Sequence, residues 1–266
     1  MTNLVIKAIG TGGFVSAKYG NTCLFITNGN EEESLLFDMG RNIIEQSKKI
    51  GFELLAVRNV FLSHMHNDHI GSTPDFAFLT HFVPDIKKVN LFIHSLMYQD
   101  YKAYLMSLVS SLDFTQKDKD KPETTIHDFF NVHSLKSNKS FKLGGNEFIP
   151  FQTTHFVNSC IIMPSFGLII KTENGKKVLI TGDTQFNPSQ LKKLYNEADY
   201  IFHECETAPF ESGIHSHINK LLTLPKEIRD KMYLTHYGDN IEDEKIAEKG
   251  KQFAGYVLPN QEIEIV

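Results

Sequence analysis

Short apolar segments separated by polar turn residues recur along the chain and predict a protein rich in β-strands. Residues 57–62 form a mainly apolar run that is typical of a buried strand, and residues 4–10 form another that ends at a glycine-rich segment. Similar runs predict further strands and hairpins at 21–27 with 34–37, 89–93, 140–151, 151–155, 165–172 with 177–181, 199–203 and 232–235. These strands belong to a layered α/β protein.

Helical periodicity appears between the predicted strands. Segments 72–82 and 189–197 predict ordinary helices, and segment 96–112 predicts an amphipathic helix rich in Tyr, Met and Leu. That helix, a polar loop at 115–123 and a more apolar stretch at 126–132 form an insertion at about 95–135. Its apolar face fits a lid over a site, a dimer contact or packing on its own domain, and the sequence leaves these open.

Length and composition narrow the classes of protein. A chain of 266 residues with 41% hydrophobic and 22% charged residues predicts one large globular domain over 1–266. A net charge of −5 disfavours a protein that grips long nucleic acid non-specifically. No apolar run is long enough to cross a bilayer and no signal segment is evident, so we expect a cytoplasmic protein without a membrane partner. Three cysteines without a CxxC pair predict free thiols.

Three histidines and an aspartate crowd into six positions directly after the predicted strand 57–62. They are His64, His66, Asp68 and His69. In an extended chain His64 and His66 point the same way, and the other two follow round a bend. Imidazole and carboxylate ligands at this density suit a borderline divalent ion such as Zn²⁺. The loop is therefore a candidate metal site.

The segment 64–69 resembles a motif of the metallo-β-lactamase fold. Further motifs of that fold, in the family's order, are resembled by segment 36–40 before it and by segments 154–155, 181–184 and 234–237 after it. Together these motifs span most of the chain. The resemblance implies a four-layered αββα sandwich in the α/β class. It also implies a site with two divalent metal ions, with Zn²⁺ expected and Mn²⁺ as the alternative.

The resemblance assigns a role to each candidate ligand. It implies that the first ion is held by His64, His66 and His155, the second by Asp68, His69 and His236, with Asp183 bridging both. Asp68 also belongs to the implied catalytic machinery. Asp38 is implied to support the metal loop from behind, because ligating histidines usually donate their second N–H to a carboxylate or carbonyl. A cap for a helix at 41–49 is the alternative role of Asp38.

Segments 202–205 and 213–217 resemble the elements that carry a Glu–His pair in tRNase Z-like phosphodiesterases. Carried over, Glu204 would orient His215, and His215 would protonate the leaving 3′-oxygen. The chain departs from the pattern at three positions, the first being Cys205 where the family has Ala. It has Glu206 where the family has Thr, and His217 where the family has Thr, so His217 is a candidate to share or replace the role of His215.

The expected substrate depends on the absence of a tRNA-binding arm from the sequence. The Gly/Pro- and Lys-rich arm with which tRNase Z enzymes grip tRNA is replaced by the Tyr/Met-rich insertion, so nucleic acid is the less favoured partner. The chain instead resembles the anti-Pycsar branch of cyclic-nucleotide phosphodiesterases. That resemblance implies hydrolysis of small 3′,5′-cyclic nucleotides such as cCMP, cUMP, cAMP and cGMP to linear monophosphates, against antiphage signalling, by a homodimer. The alternatives are an RNA 3′-processing endonuclease and another metallohydrolase of the fold.

Overall fold

The computed structural model describes residues 3–109 and 124–266. Within these ranges the chain forms two seven-stranded sheets. The strands are β1 (Leu4–Gly10), β2 (Cys23–Thr27), β3 (Leu35–Phe37), β4 (Asn59–Leu62), β5 (Val89–His94), β6 (Phe130–Leu135), β7 (Phe141–Leu143), β8 (Asn146–Thr153), β9 (Ser165–Lys171), β10 (Lys177–Ile180), β11 (Tyr200–Glu204), β12 (Met232–Thr235), β13 (Gly255–Tyr256) and β14 (Glu262–Ile265).

Helices lie between and around the strands. They are α1 (Ile43–Ile50), α2 (Asn67–Ile70), α3 (Thr73–Phe82), α4 (Tyr98–Val109), α5 (Ile126–Phe129), α6 (Pro188–Glu197), α7 (Ile218–Leu221), α8 (Lys226–Arg229) and α9 (Glu244–Gly250). Pro74 in the first turn of α3 and Pro188 in that of α6 start these helices at little cost, since the first N–H groups of a helix have no partner within it. No helix among the described residues is long and apolar enough to cross a bilayer.

The first sheet has the order β14-β1-β2-β3-β4-β5-β6, and the second β13-β12-β11-β10-β9-β8-β7. The pairs from β3 to β6 are parallel, and so are those from β10 to β13. Parallel strands end at the same edge of their sheet, so the loops after β4, β10, β11 and β12 can present side chains together. The predicted hairpins β2–β3, β7–β8 and β9–β10 are all antiparallel pairs, as expected.

The two sheets pack face to face with helices outside them. In β10, Val178 and Ile180 face the large core shared by both sheets, whereas Leu179 faces a second core that includes Leu191 of α6 and Ile228 of α8. This alternation follows the two-residue period of a strand. The mixed α/β architecture, with two sheets and outer helices, confirms the predicted four-layered sandwich.

The ends of the predicted insertion belong to the body of the fold. Strand β6 completes the first sheet by pairing in parallel with β5, and Tyr101 and Leu105 of α4 are fully buried in the shared core. One face of this helix therefore packs on its own domain. The predicted loop 115–123 lies outside the described residues, and a lid or dimer contact remains a prediction.

Candidate metal centre

Seven predicted ligand residues converge where strands of the two sheets end. Strand β4 leads into the loop with His64 and His66, and the short helix α2 turns the chain so that Asp68 and His69 face the same place. From the second sheet, His155 follows β8, Asp183 follows β10 and His236 follows β12. All seven approach one another as two groups: His64, His66, His155 with Asp183, and Asp68, His69 with His236.

The first group is a cluster of three imidazoles. His64 Nε2 and His155 Nε2 lie 3.0 and 3.1 Å from His66 Nδ1. The Nδ1 proton of His155 is donated to the carbonyl of Ile214 at 2.8 Å, and that of His64 to the Ser63 hydroxyl at 3.0 Å. Both Nε2 lone pairs therefore point at the same space, an arrangement that a cation stabilises.

Asp183 links the two groups. Its Oδ2 lies 3.6 Å from His64 Nε2 in the first group and 3.3 and 3.4 Å from the Nε2 atoms of His69 and His236 in the second. In the second group, Asp68 Oδ2 lies 3.1 Å from His236 Nε2 and 3.5 Å from His69 Nε2. Asp183 Oδ2 therefore lies between the two groups, where the resemblance expects the bridging carboxylate.

Asp38 supports the metal loop from the interior. It is fully buried, its Oδ1 accepts the backbone N–H of Ser63 at 2.7 Å, and its Oδ2 accepts the Ser63 hydroxyl and His69 Nδ1, both at 2.7 Å. Holding the proton of His69 on Nδ1 leaves Nε2 free as a ligand atom. The alternative cap role is wrong, because α1 begins at Ile43 after Asn42, and the Asp38 carboxylate is engaged here instead.

Unusual backbone conformations hold two of these residues. Asp38 and His236 both have left-handed φ angles, 63° and 58°, which non-glycine residues rarely adopt. The backbone N–H of His236 donates to the carbonyl of Thr11 at 2.6 Å, so the first loop of the chain fixes the last ligand. Strain of this kind persists where the surroundings determine a functional geometry.

The donor set fits divalent metal ions. Asp183 Oδ2 and His69 Nε2 are buried without a hydrogen-bond partner among the described residues, a costly state that a metal bond relieves. Burial lowers the pKa of His66 to about 4 and the pKa of His64 well below its usual range, so both are neutral ligands. Burial opposes ionisation of Asp183, but the imidazoles of His236 and His69 hold its pKa well below its ordinary value. Neutral imidazoles and ionised carboxylates are the ligand forms that such ions require.

His215 and Glu204 form a pair beside these clusters. His215 Nδ1 lies 3.4 Å from Glu204 Oε2 and 3.8 Å from Asp183 Oδ2. Glu204 is held in place because its Oε1 accepts the backbone N–H groups of Ser216 and Thr184, at 2.8 and 3.2 Å. Burial disfavours the charged form of His215, but the Glu204 carboxylate outweighs it and raises the pKa of the imidazole to about 9.

His217 is not brought to this cluster. Its Nε2 donates to the carbonyl of Ala208 at 2.9 Å, and its Nδ1 accepts the backbone N–H of Asn219 at the start of α7. Both ring nitrogens are therefore used by the backbone. This geometry corrects the expectation that His217 shares the acid role, and leaves His215 as the positioned candidate.

A cavity of about 690 Å³ opens beside His215 and His236. The segments that carry Phe14 and Phe210 line it, and these two rings are 52% and 68% exposed. Sequence reasoning missed both, because no motif surrounds either one. Tyr237, on the same wall, is fully buried, and its hydroxyl lies 2.7 Å from that of Thr11.

With the geometry established, we compared the chain with known proteins. The sequence model of the family described as Anti-Pycsar protein Apyc1 matches residues 4–262. The chain belongs to this family. Anti-Pycsar protein Apyc1 of Bacillus phage vB_BsuM-Goe3 is 27% identical over 246 residues, which cover 90% of each chain. That of Paenibacillus xerothermodurans is 27% identical over 254 residues, covering 94% of this chain and 93% of the relative.

Solved structures agree on the fold. The metallo-β-lactamase fold protein YhfI from Bacillus subtilis superposes with a TM-score of 0.72 at 18% identity, covering all of both chains. Human tRNase Z, short form, superposes with a TM-score of 0.67 at 18% identity, covering 98% of this chain and 99% of that one. The predicted metallo-β-lactamase fold and the family resemblance are both confirmed.

The support that Asp38 gives to His69 leads to a testable expectation. We expect Asp38→Asn to weaken metal binding by about 10- to 100-fold, because the amide cannot accept all the hydrogen bonds that the carboxylate accepts. Titration against a chromophoric chelator measures the affinity. Asp230→Asn removes a surface carboxylate bonded to Lys226 and serves as the control. An unchanged affinity in Asp38→Asn would contradict the supporting role.

Proposed function

We propose that the protein is a phosphodiesterase dependent on two divalent metal ions that hydrolyses 3′,5′-cyclic nucleotides to linear nucleoside monophosphates, and that it thereby defeats cyclic-nucleotide antiphage signalling. The observation that carries the proposal is the position of the Glu204–His215 pair, between the paired ligand groups and a cavity of nucleotide size. Cavities of about 300–1,000 Å³ are typical of small-molecule sites. Membership of the anti-Pycsar protein family agrees with it.

The chain's own residues account for orientation and proton transfer. When bound, two divalent ions lower the pKa of a water molecule and neutralise charge on the phosphoryl oxygens. Glu204 Oε2 faces Nδ1 of His215 at an ion-pair distance of 3.4 Å, so Nε2 is the nitrogen available to donate a proton to the leaving 3′-oxygen. Burial opposes ionisation of Glu204, but the imidazole of His215 lowers the pKa of its carboxyl group, and the backbone N–H groups of Ser216 and Thr184 hold the carboxylate in place.

A small substrate is favoured over RNA by the charge of the cavity wall. Glu206, Asp239 and Asp243 line the cavity beside His215, and the whole chain has a net charge of −5. Polyanion-binding proteins present Lys and Arg along the path of the backbone phosphates. The exposed rings of Phe14 and Phe210 offer surfaces on which a single base can stack.

The direct test is a substrate panel. Metal-loaded protein is incubated with cCMP, cUMP, cAMP and cGMP and, in parallel, with a precursor tRNA that carries a 3′ extension. We expect linear monophosphates from the cyclic nucleotides and an intact precursor. Cleavage of the tRNA with the cyclic nucleotides untouched would overturn the proposal in favour of RNA processing.

Zinc as the bound metal and a homodimer as the assembled state complete the proposal. Imidazole and carboxylate ligands without a thiolate suit Zn²⁺, and also Mn²⁺. Metal analysis of the purified protein identifies the ion and its stoichiometry. Light scattering coupled to size-exclusion chromatography measures the mass of the assembly.

A further inference from the structure

Glu206 is a carboxylate in the candidate active site to which no role has yet been given. It lines the cavity together with His215 and His236, and it follows Glu204 by two positions. In an extended chain, residues two apart face the same side, which is why both carboxylates reach this region. Glu206 also stands where the tRNase Z-like pattern has Thr.

The backbone holds Glu206 firmly. Its N–H donates to the carbonyl of Ser216 and its carbonyl accepts the N–H of Ile218, both at 3.0 Å. Its side-chain Oε2 accepts the backbone N–H of Ser212 at 3.0 Å. In the described part of the chain its Oε1 has no hydrogen-bond partner, so one carboxylate oxygen of this cavity-lining residue remains free to accept a hydrogen bond.

Two other polar side chains on this wall, Asp239 and Asn240, are already engaged. Asp239 accepts hydrogen bonds from the hydroxyl of Ser16 and from the backbone N–H groups of residues 17 and 18. The amide of Asn240 exchanges hydrogen bonds with Thr207 in both directions. Glu206 is therefore an acceptor positioned next to the candidate acid with capacity to spare.

Substrate chemistry indicates what this oxygen accepts. An ionised carboxylate accepts hydrogen bonds only, and beside an anionic phosphodiester it requires a neutral donor. In a 3′,5′-cyclic nucleotide both the 3′- and 5′-oxygens are esterified, so the 2′-hydroxyl is the single donor on the sugar. That hydroxyl is vicinal to the 3′-oxygen, which the proposed function places at His215.

We propose that Glu206 accepts a hydrogen bond from the 2′-hydroxyl and makes the site selective for ribonucleotides over 2′-deoxyribonucleotides. This assignment rests on the proposed function. A site built to bond a hydroxyl rejects an analogue without it, because its acceptor is left unpaired. For a charged acceptor we expect the wild type to prefer ribose by about 10- to 100-fold in kcat/KM.

The test compares cAMP with 2′-deoxy-cAMP, and cCMP with 2′-deoxy-cCMP. Glu206→Ala is expected to lose activity on the ribose substrates and to keep its activity on the deoxy substrates. The ratio of kcat/KM for the ribose substrate to kcat/KM for the deoxy substrate is then close to one. Glu206→Gln retains a neutral acceptor, and neutral hydrogen bonds are about half as strong, so its ratio is expected at about 3- to 10-fold. Asp243→Asn, another carboxylate on the cavity wall, is the matched control and is expected to keep the wild-type ratio.

Each outcome has one meaning. A ribose preference that is the same in the wild type and in Glu206→Ala would overturn the assignment, even if the protein hydrolyses cyclic nucleotides well. A change of base preference without a change in the ribose ratio would overturn it too, and would show that Glu206 contacts a base. A folded wild type that hydrolyses none of the four substrates would overturn the proposed function, and this assignment with it. Thermal unfolding of each variant verifies that it is folded.

Discussion

Asp183→Ala is expected to abolish turnover of cyclic nucleotides and to remove metal from the protein. The side-chain Oδ2 is the atom that approaches both ligand groups, at 3.3–3.7 Å from His64, His69, His155 and His236. Metal ions supply several kcal/mol of transition-state stabilisation, and each 1.36 kcal/mol is tenfold in rate. The loss in kcat/KM is therefore expected to be at least about 10³-fold.

Metal analysis of the same variant tests this reasoning without an activity assay. We expect fewer bound ions per chain than in the wild type, because the residue that joins the two groups is gone. Asp239→Ala removes an aspartate that bonds to Ser16 and lies outside both ligand groups, and it is expected to keep its metal. A variant Asp183→Ala with full metal content and wild-type turnover would contradict the bridging role.

The convergence of the candidate ligand residues could be predicted because their signal is local. Four of the seven lie within six positions of His64, and each of the others follows a short apolar run that forms a buried strand. Most strands followed from short apolar runs or from a two-residue period, as the alternation of Val178, Leu179 and Ile180 between two cores shows; β6, β13 and β14 were not predicted. Local pattern and burial agreed at these positions, so little tertiary information was required.

Features made by distant segments were not predictable in this way. Strand β14 pairs with β1 at the opposite end of the chain, and no turn signal joins them. The cavity wall combines Phe14 with Phe210, two rings that only the tertiary fold brings to one place. His217 shows that spacing along the chain does not by itself predict the direction of a side chain. Two positions after His215, its side chain would face the same way in an extended chain, but it caps α7 and bonds to the carbonyl of Ala208.

His215→Ala is expected to slow hydrolysis of cyclic nucleotides by about 10²- to 10⁴-fold, the usual contribution of a general acid. Both metal ions are expected to remain, because the two groups formed by the seven predicted ligands do not include His215, which forms a third group only with Asp183 and His236. Glu204→Gln is expected to lose activity because a neutral amide no longer favours the charged imidazole of His215. The loss in rate is expected to be smaller than for His215→Ala, because Oε1 can still accept the N–H of Ser216. Steady-state kinetics with parallel metal analysis measures both effects.

Two substrates with different leaving groups distinguish a general acid from a residue that only shapes the site. The 3′-oxygen of a nucleotide leaves as a poorly stabilised alkoxide and needs a proton, whereas p-nitrophenolate leaves without one. We therefore expect His215→Ala to lose far more activity on cAMP than on bis(p-nitrophenyl) phosphate. The ring of His217 hydrogen-bonds to backbone groups and lies 3.9 Å from the Glu211 carboxylate, away from the ligand groups, so His217→Ala is expected to lose equally little activity on both substrates. Equal, large losses of His215→Ala on both substrates would remove its assignment as the acid and would assign it to binding the phosphoryl group instead.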